Sequence, residues 1–192
     1  MVIKDCDDYL DGLGDEMKRK DFADYILAVL FSEADQQFEN AEFSAVRNHI
    51  ATFDDKRKRR AKIDGKLLFY ATEKVKNASN PKEYSKYVAV EGALTMEFLI
   101  SLLLVSEAQE DDLHKFKRWS KKGVAMGNLF DSLIDLKADK KNGLFKELPF
   151  LNTALKLTRD IVLYLVRVLP HIPKKFLFQL IYGNFKAILI KK

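Results

Sequence analysis

YSKYVAVEGALTMEFLISLLLVSEAQ, residues 84 to 109, is the stretch that decides the architecture. From Leu94 to Val105 it is apolar on nearly every face, interrupted by Glu97 and Ser101. A helix at a protein surface needs one apolar stripe, whereas a helix apolar all round must be enclosed by others. The segment therefore predicts the middle helix of a bundle. It has no run of 18 apolar residues, so it does not read as a membrane span.

The flanking segments supply the surrounding helices. On the N-terminal side, KLLFYATEKVKNAS (66 to 79) follows Gly65 and ends at Asn80-Pro81, a stop-and-restart signal. Before it lie EFSAVRNHIATFDDKRKRR (42 to 60) and DFADYILAVLFSEADQQF (21 to 38), the latter with apolar residues at helical spacing. A first helix over 2 to 18 is expected to end or bend at Gly12 and Gly14. On the C-terminal side come 111 to 139, terminated by Asn142-Gly143, then 151 to 169 between Pro149 and Pro170, then 174 to 192. Six or seven helices, no strands, only 8 Gly and 4 Pro, and no linker predict one all-α domain over 1 to 192.

Composition narrows the function classes. One cysteine, Cys6, excludes an intrachain disulfide, and MVIKDCDDYL has no basic region followed by an apolar run. A cytoplasmic protein is expected. The net charge of +5 and pI near 9.1 suit a polyanion: nucleic acid, an anionic membrane surface or a phosphate-bearing small molecule. The sharpest basic run is Lys56-Arg57-Lys58-Arg59-Arg60. It lacks aromatic interleaving, zinc spacing or any nucleic-acid module, so a solvated face is the expectation and nucleic acid is not an expected partner.

Two acidic stretches carry the chemistry. CDDYLDGLGDE (6 to 16) holds Asp7, Asp8, Asp11 and Asp15, and NLFDSLIDLKADKKNG (128 to 143) holds Asp131, Asp135 and Asp139. In each, aspartates recur every fourth residue, which puts them on one helix face with a drift of about 80° over eight residues. Asp131 and Asp135 sit among Leu129, Phe130, Leu133, Ile134 and Leu136. Carboxylates repeated on so apolar a helix repel one another and call for a cation or a wet cavity. Oxygen donors without His or Cys suit magnesium, which retains waters and completes its shell with substrate phosphates.

DDYLD (7 to 11) matches the aspartate-rich D-D-x-x-D signature of class I isoprenoid synthases. DDYLDGLGD and FDSLIDLKADKKNGLF (130 to 145) resemble the two motifs of the large-terpene synthases typified by tetraprenyl-β-curcumene synthase, and squalene and phytoene synthases are similar in both. Three motif pairs share one offset of 124 (131 − 7, 135 − 11 and 139 − 15). The resemblance covers about residues 5 to 145 and implies the helical bundle of that superfamily. It implies an enzyme that ionises an allylic prenyl diphosphate between two magnesium-bearing aspartate helices, giving a terpene hydrocarbon or alcohol, or one that couples two prenyl chains. Asp7, Asp8, Asp11, Asp15, Asp131, Asp135 and Asp139 would then hold magnesium, with Asn128 one turn before Asp131. Lys140, Lys141 and Arg118 would grip the diphosphate. Phe69, Tyr70, Tyr87 and Phe98 would line the pocket, their faces favouring positive charge. Glu91 and Glu97, on the apolar helix, either reach the polar end of that cavity or pair with a buried Lys or Arg.

Only six residues precede Asp7, about 9 Å of helix, which is short for a prenyl cavity wall. A second copy or a partner subunit completing the cavity is expected. KKFLFQLIYGNFKAILIKK (174 to 192) is bracketed by lysine pairs and predicts either a last packed helix or peripheral contact with an anionic membrane. The reading of another class is a non-catalytic helical protein that binds a membrane or a partner.

Overall fold

The computed structural model describes residues 16–31, 41–103, 110–141, 148–168 and 170. These form six helices: α1 Glu16–Leu30, α2 Ala41–Ala51, α3 Asp55–Lys76, α4 Pro81–Leu103, α5 Glu110–Lys141 and α6 Phe150–Val168. There is no strand among the described residues. Residues 2 to 15 of the expected helix over 2 to 18, residues 32 to 38 of that over 21 to 38, and the whole of that over 174 to 192 fall outside them.

α4, the apolar segment, is central: it lies against α3, α5 and α6. α3 and α5 run antiparallel to it. Arg57 of α3 meets Ser101 and Leu102 at one end of α4, and Thr72 meets Glu91 nearer the other. α1 is antiparallel to α3 in turn, since Arg19 pairs with Glu73 while Leu27 abuts Gly65. Two apolar clusters share α4. One gathers Leu27, Leu30, Ile50 and Phe53 around Phe98 and Leu102; the other gathers Ala125, Leu129, Leu136 and Leu157 around Tyr84 and Val88.

One boundary differs from the sequence reading. The 42 to 60 segment is not one helix, and Gly65 does not start a new one. The break falls at 52 to 54 instead. Thr52 donates its hydroxyl to the His49 carbonyl at 2.7 Å, and the extended Asp54 accepts the Arg57 backbone N–H at 2.7 Å as an N-cap. A new helix then runs through Gly65. The glycine is there for closeness, because a Cβ would lie 2.7 Å from Leu27 Cδ2 and 3.2 Å from Phe98 Cε2. At Asn80-Pro81 the reading holds. Asn80 accepts the Glu83 N–H at 2.9 Å, and Glu83 returns its carboxylate to the Ser79 N–H (3.1 Å) and hydroxyl (2.9 Å). These bonds hold the Glu83 carboxyl below its ordinary range.

Gly92 marks a close approach of α4 to α5: an added Cβ would meet the Val124 carbonyl oxygen at 2.8 Å and Ala125 Cα at 2.9 Å. Both atoms are backbone and cannot rotate away. Gly→Ala inside a helix ordinarily gains about 1 kcal/mol, and overpacking costs about 1–3 kcal/mol, so Gly92→Ala is expected to destabilise. Gly123 on α5 has open space around its Cβ position. Gly123→Ala is expected to stabilise by about 0.5–1 kcal/mol. Urea unfolding of the two variants should move in opposite directions; a shared direction would contradict the packing described.

Candidate functional site

The second aspartate series lies on α5. Ala125, Leu129 and Leu136 are buried and define the line facing the bundle. At about 100° per residue, Asp139 stands roughly 60° off that line, Asp135 about 100° and Asp131 about 140°. Exposure follows this order. Asn128 and Asp139 are half-buried, whereas Asp135 and Asp131 are exposed. The apolar residues between them divide likewise, with Leu129 and Leu136 inside and Phe130 and Ile134 outside.

The inner edge of this series meets α4 at Tyr84. That side chain is 1% exposed, and its hydroxyl hydrogen-bonds Ser132, inside the aspartate series. Burial pushes the phenol up to about 12; the bond to Ser132 opposes this, and the charges of Asp139, Glu91 and Asp135 add to it. Tyr84 and Ser132 thus face the inner flank of the carboxylates, a contact the sequence reading missed. The one available signal was a serine placed between two aspartates where α5 needs a small polar contact.

The first series, Asp7, Asp8, Asp11 and Asp15, lies outside the described residues, as does Cys6. The point from which it departs is described. Because α1, α3, α4 and α5 alternate in direction, the start of α1, the end of α3, the start of α4 and the Ser132 to Asp139 part of α5 share one end of the bundle. Among the described residues no group of three His, Cys, Asp or Glu side chains is arranged to hold a metal.

The proposed phosphate residues are dispersed. Lys140 donates to the Leu148 carbonyl at 2.8 Å and so ties the end of α5 to the approach of α6. Lys141 is exposed in the last turn of α5. Arg118 is exposed 13 residues before Asp131 (131 − 118), about 20 Å along the helix axis. The pocket candidates occupy different surroundings. Phe98 is in the cluster with α1 and α2, and Tyr87 packs beside the other cluster. Phe69 is half-buried, and Tyr70 is exposed beneath the Lys74 ammonium at 5.3 Å. Glu91 accepts the Thr72 hydroxyl at 2.6 Å.

Glu97 resolves into ion pairing. It accepts from Lys121 of α5 and from Arg60 of α3 (3.1 Å), and Arg60 also holds Asp64 at 3.3 Å. Arg57 stacks on Phe53 at 3.6 Å and donates, with His49, to the Leu102 carbonyl. Basic side chains there complete the last carbonyls of α4. Two members of the 56 to 60 basic run, Arg57 and Arg60, are therefore paired with groups of the bundle, which lowers the net charge the run offers to solvent.

Burial pushes the Asp64 carboxyl above its ordinary range, Arg60 pulls it back, and the Glu97 carboxylate adds to the rise. A carboxyl with a raised folded-state pKa binds its proton more readily folded than unfolded. Its ionisation therefore costs stability as pH rises from the unfolded value through the folded one. Asp64→Asn is expected to be at least as stable as the wild type at pH 7, the difference fading as pH falls toward the unfolded carboxyl range. Thermal melts across pH 4 to 7 would show a constant difference if the Asp64 charge carried no such cost (pH range set by about the ordinary carboxyl values).

Comparison with family models, curated proteins and solved structures found no match.

Proposed function

We propose that this protein is a magnesium-dependent class I terpene synthase that ionises an allylic prenyl diphosphate between two aspartate-rich segments. The observation that carries the reading is the pair of aspartate series at a common offset of 124 residues, one on α5 and the other running into α1. Its support is topological: the chain enters α1 at the end of the bundle where Ser132 to Asp139 lie. The donors present suit magnesium. Asp131 and Asp135 are oxygen ligands one turn apart and open to water, which leaves coordination positions for solvent and phosphate.

In this reading Asp131 and Asp135 hold magnesium from one side and Asp7, Asp8 and Asp11 from the other, with Asn128, Asp139 and Asp15 flanking. Magnesium, when bound, neutralises the diphosphate and makes it a better leaving group. Lys141 and Arg118 are free to add positive charge at the protein surface, while Lys140 reaches phosphate only by releasing Leu148. Coupling of two prenyl chains, as in squalene and phytoene synthases, is the finer alternative. A second copy or partner subunit would complete the cavity wall.

The test is incubation with farnesyl, geranylgeranyl and longer prenyl diphosphates, with and without magnesium, followed by diphosphate assay and hydrocarbon analysis. Magnesium-dependent release with a hydrocarbon product is expected. A helical protein that binds without catalysis would release no diphosphate from any of these substrates, and that result would end the enzyme reading.

A further inference from the structure

α6 carries more apolar surface than the bundle covers. Thr153, Leu157 and Val168 are buried along its inner side. On the outer side Leu151, Leu155, Val162 and Val166 recur at intervals that keep them on one face, and they are 67%, 61%, 53% and 62% exposed. Scattered surface leucines call for no explanation, but a continuous exposed line along a whole helix marks a contact surface.

The charges on α6 say what the surface faces. Its one carboxylate, Asp160, is half-buried and turned inward, accepting the Ser85 hydroxyl at 2.5 Å and the Lys156 ammonium. Arg159 and Arg167 are exposed, so every charge α6 presents to solvent is positive. No helix among the described residues is long and apolar enough to cross a membrane. A helix of 19 residues, about 28 Å long, with an apolar line beside cationic side chains is the form that lies in a bilayer interface. We infer that the outer face of α6 is a lipid-contacting surface that seats this protein on an anionic bilayer.

Charge also decides against the other occupants. Arg159 is the midpoint of Phe150–Val168, so a twofold antiparallel pairing of two copies through α6 would set Arg159 against its counterpart. The sequence from 171 to 192 contains five lysines and no Asp or Glu, so laying it over α6 would crowd like charges. An anionic membrane instead attracts the exposed cations of α6, each adding to the attraction. The inference stands independently of the magnesium chemistry, because its readout is partition and not turnover.

The experiment is flotation of the full chain with phosphatidylcholine vesicles and with phosphatidylcholine vesicles containing phosphatidylglycerol, at low and high salt. Wild type should float with the anionic vesicles at low salt and detach at high salt. Leu155→Glu/Val162→Glu and, separately, Arg159→Glu/Arg167→Glu should each reduce the bound fraction by about tenfold or more. Both should stay close to the wild-type melting temperature, because all four side chains are exposed in the free protein. Absence of wild-type binding, or variants that bind as wild type does, would overturn the inference. So would a melting temperature lowered by Leu155→Glu/Val162→Glu, which would mean that the chain covers its own face, or a wild-type dimer that this variant dissociates.

Discussion

If α5 holds magnesium as proposed, Asp131→Asn and Asp135→Asn should each reduce magnesium-dependent diphosphate release by about a thousandfold, because loss of a metal-holding charge would remove roughly 4 kcal/mol of transition-state stabilisation. The substitution keeps the size and shape of the side chain and removes the charge that magnesium requires. Both aspartates are exposed on α5, so neither change should disturb packing, and exposed positions ordinarily shift stability by less than about 0.5 kcal/mol. Activity and stability therefore separate cleanly. Asp139→Asn should have a smaller effect, about tenfold, because Asp139 stands closer to the bundle and to the Tyr84–Ser132 contact. Asp24→Asn, exposed on α1 and outside both series, should leave turnover unchanged. Turnover within twofold of wild type in both Asp131→Asn and Asp135→Asn, measured on correctly folded protein, would remove these carboxylates from any metal site.

The central position of α4 was legible because apolar residues on all sides of a helix admit no other environment, and α4 does lie among three neighbours. The Asn80-Pro81 start was legible for the same kind of reason: the cap is local, and the residues that make it are adjacent in sequence. Gly65 misled because its role is not local. A glycine chosen for a close approach by Leu27 and Phe98 looks the same in sequence as one chosen to end a helix. The aspartate series was legible as a period, but which of its members turns outward depends on the direction in which α5 meets α4. Gly92 packing on Val124 and Ala125 is part of that meeting, and it joins residues distant in sequence. Glu97 shows the same limit. Its two possible fates, cavity or ion pair, were separated only when Arg60 and Lys121, distant in sequence, arrived beside it.

Arg19→Met should lower the stability of the fold by about 3–5 kcal/mol, as expected when one partner of a buried charge pair is removed. Arg19 Nε and Nη2 donate to the two Glu73 oxygens at 2.7 and 2.9 Å, a bidentate pair. Each side chain is only 10% exposed. Removing the guanidinium leaves a carboxylate in a place water hardly reaches. The Glu97 pairs are different, because the side chains of Arg60 and Lys121 remain 64% and 38% exposed and solvent screens them. Arg19→Met/Glu73→Leu should recover most of the loss, ending within about 1–2 kcal/mol of wild type, since two apolar side chains can replace a buried ion pair. Urea unfolding of the two single variants and the double would measure the coupling directly. A cost below about 1 kcal/mol for Arg19→Met would show that the pair is solvated in solution. The pair also bears on function. It fixes the first turns of α1 against the end of α3, at the end of the bundle where Ser132 to Asp139 lie. If the two aspartate series share magnesium, the double variant should fold nearly as well as wild type yet need more magnesium for half-maximal diphosphate release. A purely structural ion pair would leave that requirement where it was.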